Sequence, residues 1–220
     1  MVERASKKSS TTAECEPAVY VIDDDVGLRD ALARLFRSIG YRAEVFTSAT
    51  ELLKRRLPSV PSCLVLDVRL PGLSGFDLHA ELTKSDIRIP IVFMTAHGDI
   101  PMSVRAMKGG AIDFLTKPFR DQDMLDAVAT AISRDRDRLD TETEQLNLQK
   151  LFSSLTSREQ EVMALVTKGL MNKQVAAEVG LSEITVKIHR GHLMKKMKAN
   201  SLADLVKMAE ALGVNRTKSR

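Results

Sequence analysis

The sequence predicts an α/β domain with a doubly wound, five-stranded parallel sheet, followed by a small all-α domain of four helices. Up to residue 133, short apolar runs rich in β-branched residues alternate with helix-patterned stretches. A charged stretch with few large apolar residues follows, and beyond Phe152 only helical patterns remain. Regular alternation of strand and helix favours a parallel sheet that is covered by helices on both faces.

The α/β domain is predicted over residues 18–133. Its strands are expected at 18–22, 42–46, 62–67, 90–94 and 112–115. Its helices are expected near 26–38, 48–56, 74–84, 101–108 and 121–133. Five strand–helix units fill roughly 120 residues, which is an ordinary size for one domain. The polar residues 1–17 in front of it are expected to form a disordered tail.

The charged stretch at 134–152 is typical of a solvated helix or linker. A simple tether is its plainer interpretation, and a helix that signals between the domains is the alternative. Residues 153–213 are expected to fold into the four-helix domain, with a basic tail at 214–220. Gly180 is expected to end the second of these helices. The predicted helix starts are marked by a Thr156–Glu159 capping box and by the caps Asn172, Ser182 and Ser201.

Composition and charge exclude several classes of protein. No apolar run approaches the roughly 18 residues of a membrane span, and the N-terminus lacks the apolar stretch of a signal peptide, so we expect a cytoplasmic protein. The two cysteines, at positions 15 and 63, form neither a disulfide framework nor a metal-ligand spacing. The formal net charge is +4, with the basic excess at the C-terminal end. That distribution suggests an anionic partner for that end.

Polar side chains follow the strands of the predicted sheet at their carboxyl ends. These are Asp23 and Asp24 after the first strand, Asp67 at the end of the third, Thr95 after the fourth and Lys117 after the fifth. In a sheet ordered 2-1-3-4-5 the first and third strands are neighbours, so the three carboxylates share one pocket. Their mutual repulsion favours a hard cation, Mg²⁺ (or Mn²⁺). We therefore predict that Asp67 attacks phosphorus there, while Lys117 and Thr95 bind the phosphoryl oxygens.

The acidic run at 23–25 also has a plainer interpretation, because charge runs usually lie on solvated surfaces. Four appropriate residue types at four different strand ends are much harder to explain by chance. The Lys117-Pro118 pair adds a hypothesis, since a cis peptide bond there would direct the lysine side chain toward the pocket.

These motifs resemble those of the receiver domain of bacterial two-component response regulators over residues 18–133. The matching stretches are VIDDD at 21–25, LVLDVRLPGLSG at 64–75, MTAHGD at 94–99 and DFLTKPF at 113–119. The resemblance implies that Asp67 receives a phosphoryl group from the phosphohistidine of a sensor histidine kinase. It also implies Mg²⁺ ligands, namely Asp24, Asp67 and the backbone carbonyl of Arg69, with Asp23 assisting through water. Thr95 and Phe114 would form the switch pair, and phenylalanine at 114 excludes a phenolic hydroxyl there.

A helix, a turn containing Gly180 and a second helix over 182–198 predict a helix-turn-helix. At about 100° per residue, Val186, Leu193 and Met197 share the face of the second helix that is expected to pack on the domain. A solvated basic face is the plainer interpretation of the other side, and Arg190 is expected to snorkel or form an ion pair. The residues predicted to contact DNA bases or phosphates are Lys173, Thr185, Lys187, Ile188, Gly191, His192, Lys195 and Lys196.

The segment 153–213 resembles the LuxR-type helix-turn-helix of the NarL/FixJ family, and the whole chain resembles the FixJ side of that family. The matching stretches are LTSREQEVMALVTKGLMNKQVAAEVGLSEITVKIH and LMKKMKANSLADLV. The resemblance implies inverted half-sites in double-stranded promoter DNA, activation of transcription with RNA polymerase as a further partner, and a homodimer that forms on phosphorylation. Val104 and Lys108 are the candidates for that dimer interface. Gly191 stands where other members carry lysine, which leaves one base contact open.

Two other functions are consistent with parts of this pattern. A Mg²⁺-dependent phosphatase with an aspartyl nucleophile needs a general acid two residues after the nucleophile, and Arg69 stands there. A regulator with a silent receiver would bind DNA without phosphorylation, which the intact acidic site and Lys117 weigh against. The sequence therefore favours a phosphorylation-controlled regulator over a dedicated enzyme.

Overall fold

The computed structural model describes residues 16–55 and 57–214. The chain divides into two compact units between Leu139 and Asp140. Most of the predicted tails, 1–17 and 214–220, lies outside the described residues. Within the described part of the chain, no helix combines the length and apolar character that a membrane span requires.

The first unit has the predicted sheet of five parallel strands in the order β2-β1-β3-β4-β5. Its strands are β1 (Ala18–Ile22), β2 (Arg42–Phe46), β3 (Ser62–Asp67), β4 (Ile91–Thr95) and β5 (Asp113–Thr116). Its helices are α1 (Val26–Ser38), α2 (Ala49–Leu53), α3 (Gly75–Lys84), α4 (Ile100–Lys108) and the part of α5 (Asp121–Ser153) up to Leu139, where the division between the units falls. The doubly wound, flavodoxin-like fold is therefore confirmed, with β4 and β5 one residue later than predicted.

Two apolar layers cover the two faces of this sheet. β1, β3 and β4 are buried along their whole length, whereas the edge strand β2 is partly exposed. Leu32 of α1 and Val128 of α5 pack on one face, and Leu52 of α2 and Leu78 of α3 pack on the other. The near-continuous apolar strands of the sequence follow from this double coverage.

Helix α5 is longer than the predicted helix, which was placed at 121–133. It continues without interruption to Ser153, because the charged stretch contains no glycine or proline that would end it. An i,i+3 ion pair between Asp135 and Arg138 supports its middle. The Asp135 carboxylate is buried and accepts a 2.8 Å hydrogen bond from the backbone N–H of Ser62, which ties α5 to the start of β3.

The second unit contains α6 (Ser157–Val166), α7 (Asn172–Val179), α8 (Glu183–Met197) and α9 (Leu202–Ala211) around one apolar cluster. The Thr156–Glu159 capping box is present. Ser182 and Ser201 cap the last two helices, and Gly180 ends α7 in the left-handed conformation with φ 67°.

The predicted cap at Asn172 is wrong. Met171 occupies the N-cap position of α7, and its backbone N–H donates to the Gln174 side chain at 2.8 Å. The side chain of Asn172 instead accepts a 3.1 Å hydrogen bond from Arg190 of α8. The guanidinium thereby joins the two helices of the helix-turn-helix through a neutral partner, whereas snorkelling or an ion pair was expected.

Candidate functional site

Three carboxylates meet at the carboxyl ends of β1 and β3. The pairing of Ile22 with Leu66 places the following residues of both strands side by side. Oxygen atoms of Asp23, Asp24 and Asp67 lie within 4.8 Å of one another. Asp23 and Asp67 are buried and Asp24 is exposed, so the cluster reaches solvent on one side. An all-oxygen donor set of this kind fits Mg²⁺ or Mn²⁺.

Lys117 lies between the two buried carboxylates. Its ammonium is 2.5 Å from Asp23 Oδ2 and 2.6 Å from Asp67 Oδ2. Burial lowers the pKa of Lys117, but its hydrogen bonds to both carboxylates outweigh burial and raise that pKa overall. Burial also raises the pKa of Asp23 despite the neighbouring lysine. The Lys117-Pro118 peptide bond is cis, as hypothesised.

Backbone N–H groups hold the second oxygen of each buried carboxylate. Asp25 N donates to Asp23 Oδ1 at 2.8 Å, and Arg69 N donates to Asp67 Oδ1 at 2.9 Å. Asp25 has a structural role as well, because its side chain caps α1 by accepting from the N–H of Leu28 at 3.1 Å. Arg69 itself lies exposed in the loop directly after β3.

Two residues near the carboxylates are absent from the sequence prediction. Arg29 of α1 is only 7% exposed, and its guanidinium donates to the backbone carbonyl of Asp23 at 2.5 Å. At Gly75 an added Cβ would lie 2.4 Å from the carbonyl oxygen of Asp67, so only glycine allows α3 to start this close to β3. Gly75 belongs to the motif LVLDVRLPGLSG, which carries the family resemblance, but neither an arginine nor a glycine indicates this packing from the sequence alone.

The proposed switch residues lie on neighbouring strands. Thr95 is fully buried at the end of β4, where its hydroxyl accepts from His97 N at 3.3 Å. Phe114 is half-buried on β5. Gly98, which was also missed, lies against both strands, since an added Cβ would be 3.4 Å from Thr95 Cγ2 on β4, and 3.0 Å from Phe114 Cε1 and 2.5 Å from Thr116 Cγ2 on β5. A side chain at position 98 would therefore displace the aromatic ring or the threonine methyl.

The two predicted interface residues lie on α4. Val104 is 44% exposed and Lys108 is exposed. Ile100 and Met107 are exposed on the same helix, which gives α4 an apolar stripe at i, i+4 and i+7.

The second candidate site is the outward side of α8. Val186, Leu193 and Met197 are fully buried, as predicted for the packing face. Ile184 and Ile188 lie on the opposite side. The exposed residues among those predicted to contact DNA are Lys173, Lys187, Ile188, Gly191, His192 and Lys195. Thr185 is half-buried, and its hydroxyl lies 2.8 Å from that of the cap Ser182.

Lys196, which the sequence predicts as a phosphate contact, forms an ion pair with a residue of α6. Its ammonium lies 2.6 Å from Glu159 Oε2, and the Glu159 residue is 3% exposed. Burial raises the pKa of Glu159, but the hydrogen bonds from Lys196 and from the backbone of Thr156 outweigh it and lower that pKa. Lys196 therefore neutralises the carboxylate of the α6 capping box.

Comparison with known proteins identifies both units. Residues 19–129 match the response regulator receiver domain, and residues 153–209 match the luxR family of bacterial regulatory proteins. Nodulation protein W of Bradyrhizobium diazoefficiens is 60% identical over 93% of this chain and 90% of its own length. The chain is a response regulator of the NarL/FixJ family.

Other relatives agree with this assignment. The transcriptional regulatory protein FixJ of Azorhizobium caulinodans is 41% identical to this response regulator over 89% of the chain and 93% of its own length. The solved structure of the response regulator StyR is 50% identical, with a TM-score of 0.82 over 89% of this chain and 99% of that one. The regulator thus combines a receiver with a LuxR-type DNA-binding domain, which indicates two-component regulation of transcription, a sensor kinase partner and DNA binding.

Proposed function

We propose that this response regulator accepts a phosphoryl group on Asp67 from a sensor histidine kinase and then regulates promoters. The observation that carries the proposal is the pairing of Asp67 with Lys117 at 2.6 Å inside an acidic cluster. One Asp67 carboxylate oxygen would attack phosphorus as the P–N bond to the kinase histidine breaks and the nitrogen keeps the electron pair. Lys117 would stabilise the charge on the transferred phosphoryl oxygens.

A divalent cation, Mg²⁺ or Mn²⁺, completes this proposal. Receiver domains generally bind Mg²⁺ at an acidic cluster of this kind. The ligands would be Asp24, Asp67 and the Arg69 carbonyl, with Asp23 acting through water. When bound, the cation would neutralise the carboxylates and the incoming phosphoryl group. The buried carboxylates are already held by backbone N–H groups, so their geometry is fixed before either partner arrives.

Phosphorylation would be read by the residues around Thr95. The new phosphoryl oxygens would compete with the carboxylates for Lys117 and would offer the Thr95 hydroxyl a hydrogen-bond acceptor. In the present structure this hydroxyl only accepts a long, 3.3 Å hydrogen bond from His97 N. Movement of Thr95 would let the Phe114 ring turn inward and would alter the exposed stripe of α4. Val104 and Lys108 would then enter a homodimer interface.

The dimer would place two copies of the 182–198 segment on successive turns of double-stranded promoter DNA. Lys187, Ile188 and Gly191 would face bases, while Lys173, His192 and Lys195 would contact phosphates. We expect transcription activation, with RNA polymerase as a further partner, and a cytoplasmic location because promoter DNA is there.

The first prediction tests the acceptor. Asp67→Asn replaces the attacking carboxylate by an amide, so labelling by acetyl phosphate should fall to background and phosphodonor-induced dimers should be lost. Phosphate-affinity gels and size-exclusion chromatography measure both. The matched control is Asp86→Asn, because this carboxylate is 78% exposed and asparagine tolerates its left-handed backbone.

Normal labelling of Asp67→Asn would contradict the acceptor assignment. A gel shift with and without phosphodonor separates the proposal from a silent receiver, whose DNA affinity would be unchanged. Turnover of a phosphate ester by the purified protein would instead support the phosphatase, although Arg69 occupies its general-acid position.

A further inference from the structure

Two isoleucines on the outward side of α8 contribute nothing to the core of their domain. Ile184 is 75% exposed and Ile188 is 53% exposed, whereas Val186 between them is fully buried. Single exposed apolar residues are common on protein surfaces. These two are i,i+4 neighbours on one helix face, however, so they form a continuous apolar strip.

The surroundings of this strip favour an anionic partner with apolar features. Lys187 and Lys195 are exposed beside it, and no acidic residue occurs from Lys187 to Lys198. Gly191 leaves open space, because an added Cβ there would meet no atom within 4 Å. A backbone or base edge can therefore come close to α8 at the position where a longer side chain would hold it away.

DNA offers one strongly apolar group in the major groove, the 5-methyl group of thymine. In helix-turn-helix proteins the N-terminal residues of the second helix reach the base edges. Ile184 is the second residue of α8 and Ile188 lies one turn later. Four residues advance a helix by about 6 Å, which corresponds to about two base-pair steps of 3.4 Å.

We propose that Ile184 and Ile188 read thymine 5-methyl groups, and that each half-site carries thymines within about two base-pair steps of each other. The inference rests on the proposed DNA binding by α8 and adds the chemical feature that this helix recognises. Lys187 and Lys195, which lie beside the strip, would increase the affinity for DNA through their charge, while the two isoleucines would select thymine over other bases.

The test uses full-length protein with a phosphodonor and DNA sites that it selects from a random pool. Each thymine of a selected site is replaced in turn by deoxyuridine, which keeps the base pair and removes only the methyl group. We expect the affinity to fall about fourfold for each contacted methyl group. Ile184→Ala should bind the thymine and uracil forms equally at one position, and Ile188→Ala at a neighbouring position.

Leu202→Ala is the control, because Leu202 is 40% exposed but lies on α9, and its sensitivity to uracil should equal that of the wild type. Equal wild-type affinity for every uracil form overturns the proposal while DNA binding stands. If both isoleucine variants remain sensitive to uracil but no longer self-associate, the strip is a protein contact. That result also overturns the proposal. Failure to select any DNA contradicts the proposed function itself.

Discussion

At the scale of single residues, the acidic site depends on groups that carry no reactive chemistry. Arg29 donates to the Asp23 carbonyl from a buried position, and Gly75 lets α3 start against the Asp67 carbonyl. Both fix the backbone from which a carboxylate projects. Small displacements of such supports change how well several oxygens can bind one cation. The positions of the carboxylates therefore depend on residues such as Arg29 and Gly75, which contact the backbone and not the carboxylates themselves.

Arg29→Met should weaken Mg²⁺ binding without abolishing it. The methionine keeps the apolar bulk but leaves the Asp23 carbonyl without its guanidinium donor, so the loop after β1 loses one constraint. We expect a loss of about tenfold or more in Mg²⁺ affinity by isothermal titration calorimetry, in line with supporting residues of other metal sites. Arg34→Met, at an exposed position of the same helix, is the control. Equal affinities of the two variants would remove Arg29 from the site.

At the scale of elements, local patterns predicted the strands and most helix starts, but not contacts between distant segments. Asp23, Asp67 and Lys117 could be placed together because each lies at or directly after the carboxyl end of a strand, and the predicted strand order brings these ends together. Arg29 and Gly98 could not, since their partners depend on packing between elements. Asn172 was predicted as an N-cap because asparagine is favoured at that position, yet α7 begins at Asn172 and its N-cap is Met171.

The ion pair between Glu159 of α6 and Lys196 of α8 should stabilise the packing of these two helices. Lys196→Met leaves the buried Glu159 carboxylate without its cation, so the helical unit should lose about 1–2 kcal/mol at pH 7. This is less than for a fully buried pair, because the lysine side chain is 37% exposed. Differential scanning calorimetry of the full chain measures the loss, with Lys195→Met as the control at the next, exposed residue.

The same ion pair sets a pH dependence. The pKa of Glu159 is lowered in the folded protein, so its contribution to stability is present above the ordinary glutamate pKa and is lost as pH falls through the lowered value. The difference between wild type and Lys196→Met should therefore shrink below about pH 4. A difference that stays constant across this range would mean that lost packing, and not the charge pair, causes the destabilisation.

At the scale of the whole molecule, charge is divided between the two units. The net charge of +4 lies mainly in the C-terminal part, whereas acidic and basic residues nearly balance over residues 18–133. A basic DNA-binding unit attracts phosphates, while a balanced receiver does not compete for them. The slope of log K for DNA binding against log salt concentration should therefore increase in magnitude with the number of lysines that contact phosphates.

Adjacent lysines of α8 should differ in this measurement. Lys195 is exposed, so in the proposed dimer Lys195→Met should reduce the slope of log K against log salt concentration by about 1.8, which is about 0.9 for the phosphate contact of each protomer. Lys196 is bound to Glu159, so Lys196→Met should leave the slope unchanged even though it destabilises its unit. Titrations from low to moderate salt at a temperature where both variants are folded make the comparison. An equal decrease for both variants would mean that Lys196 leaves Glu159 when DNA binds.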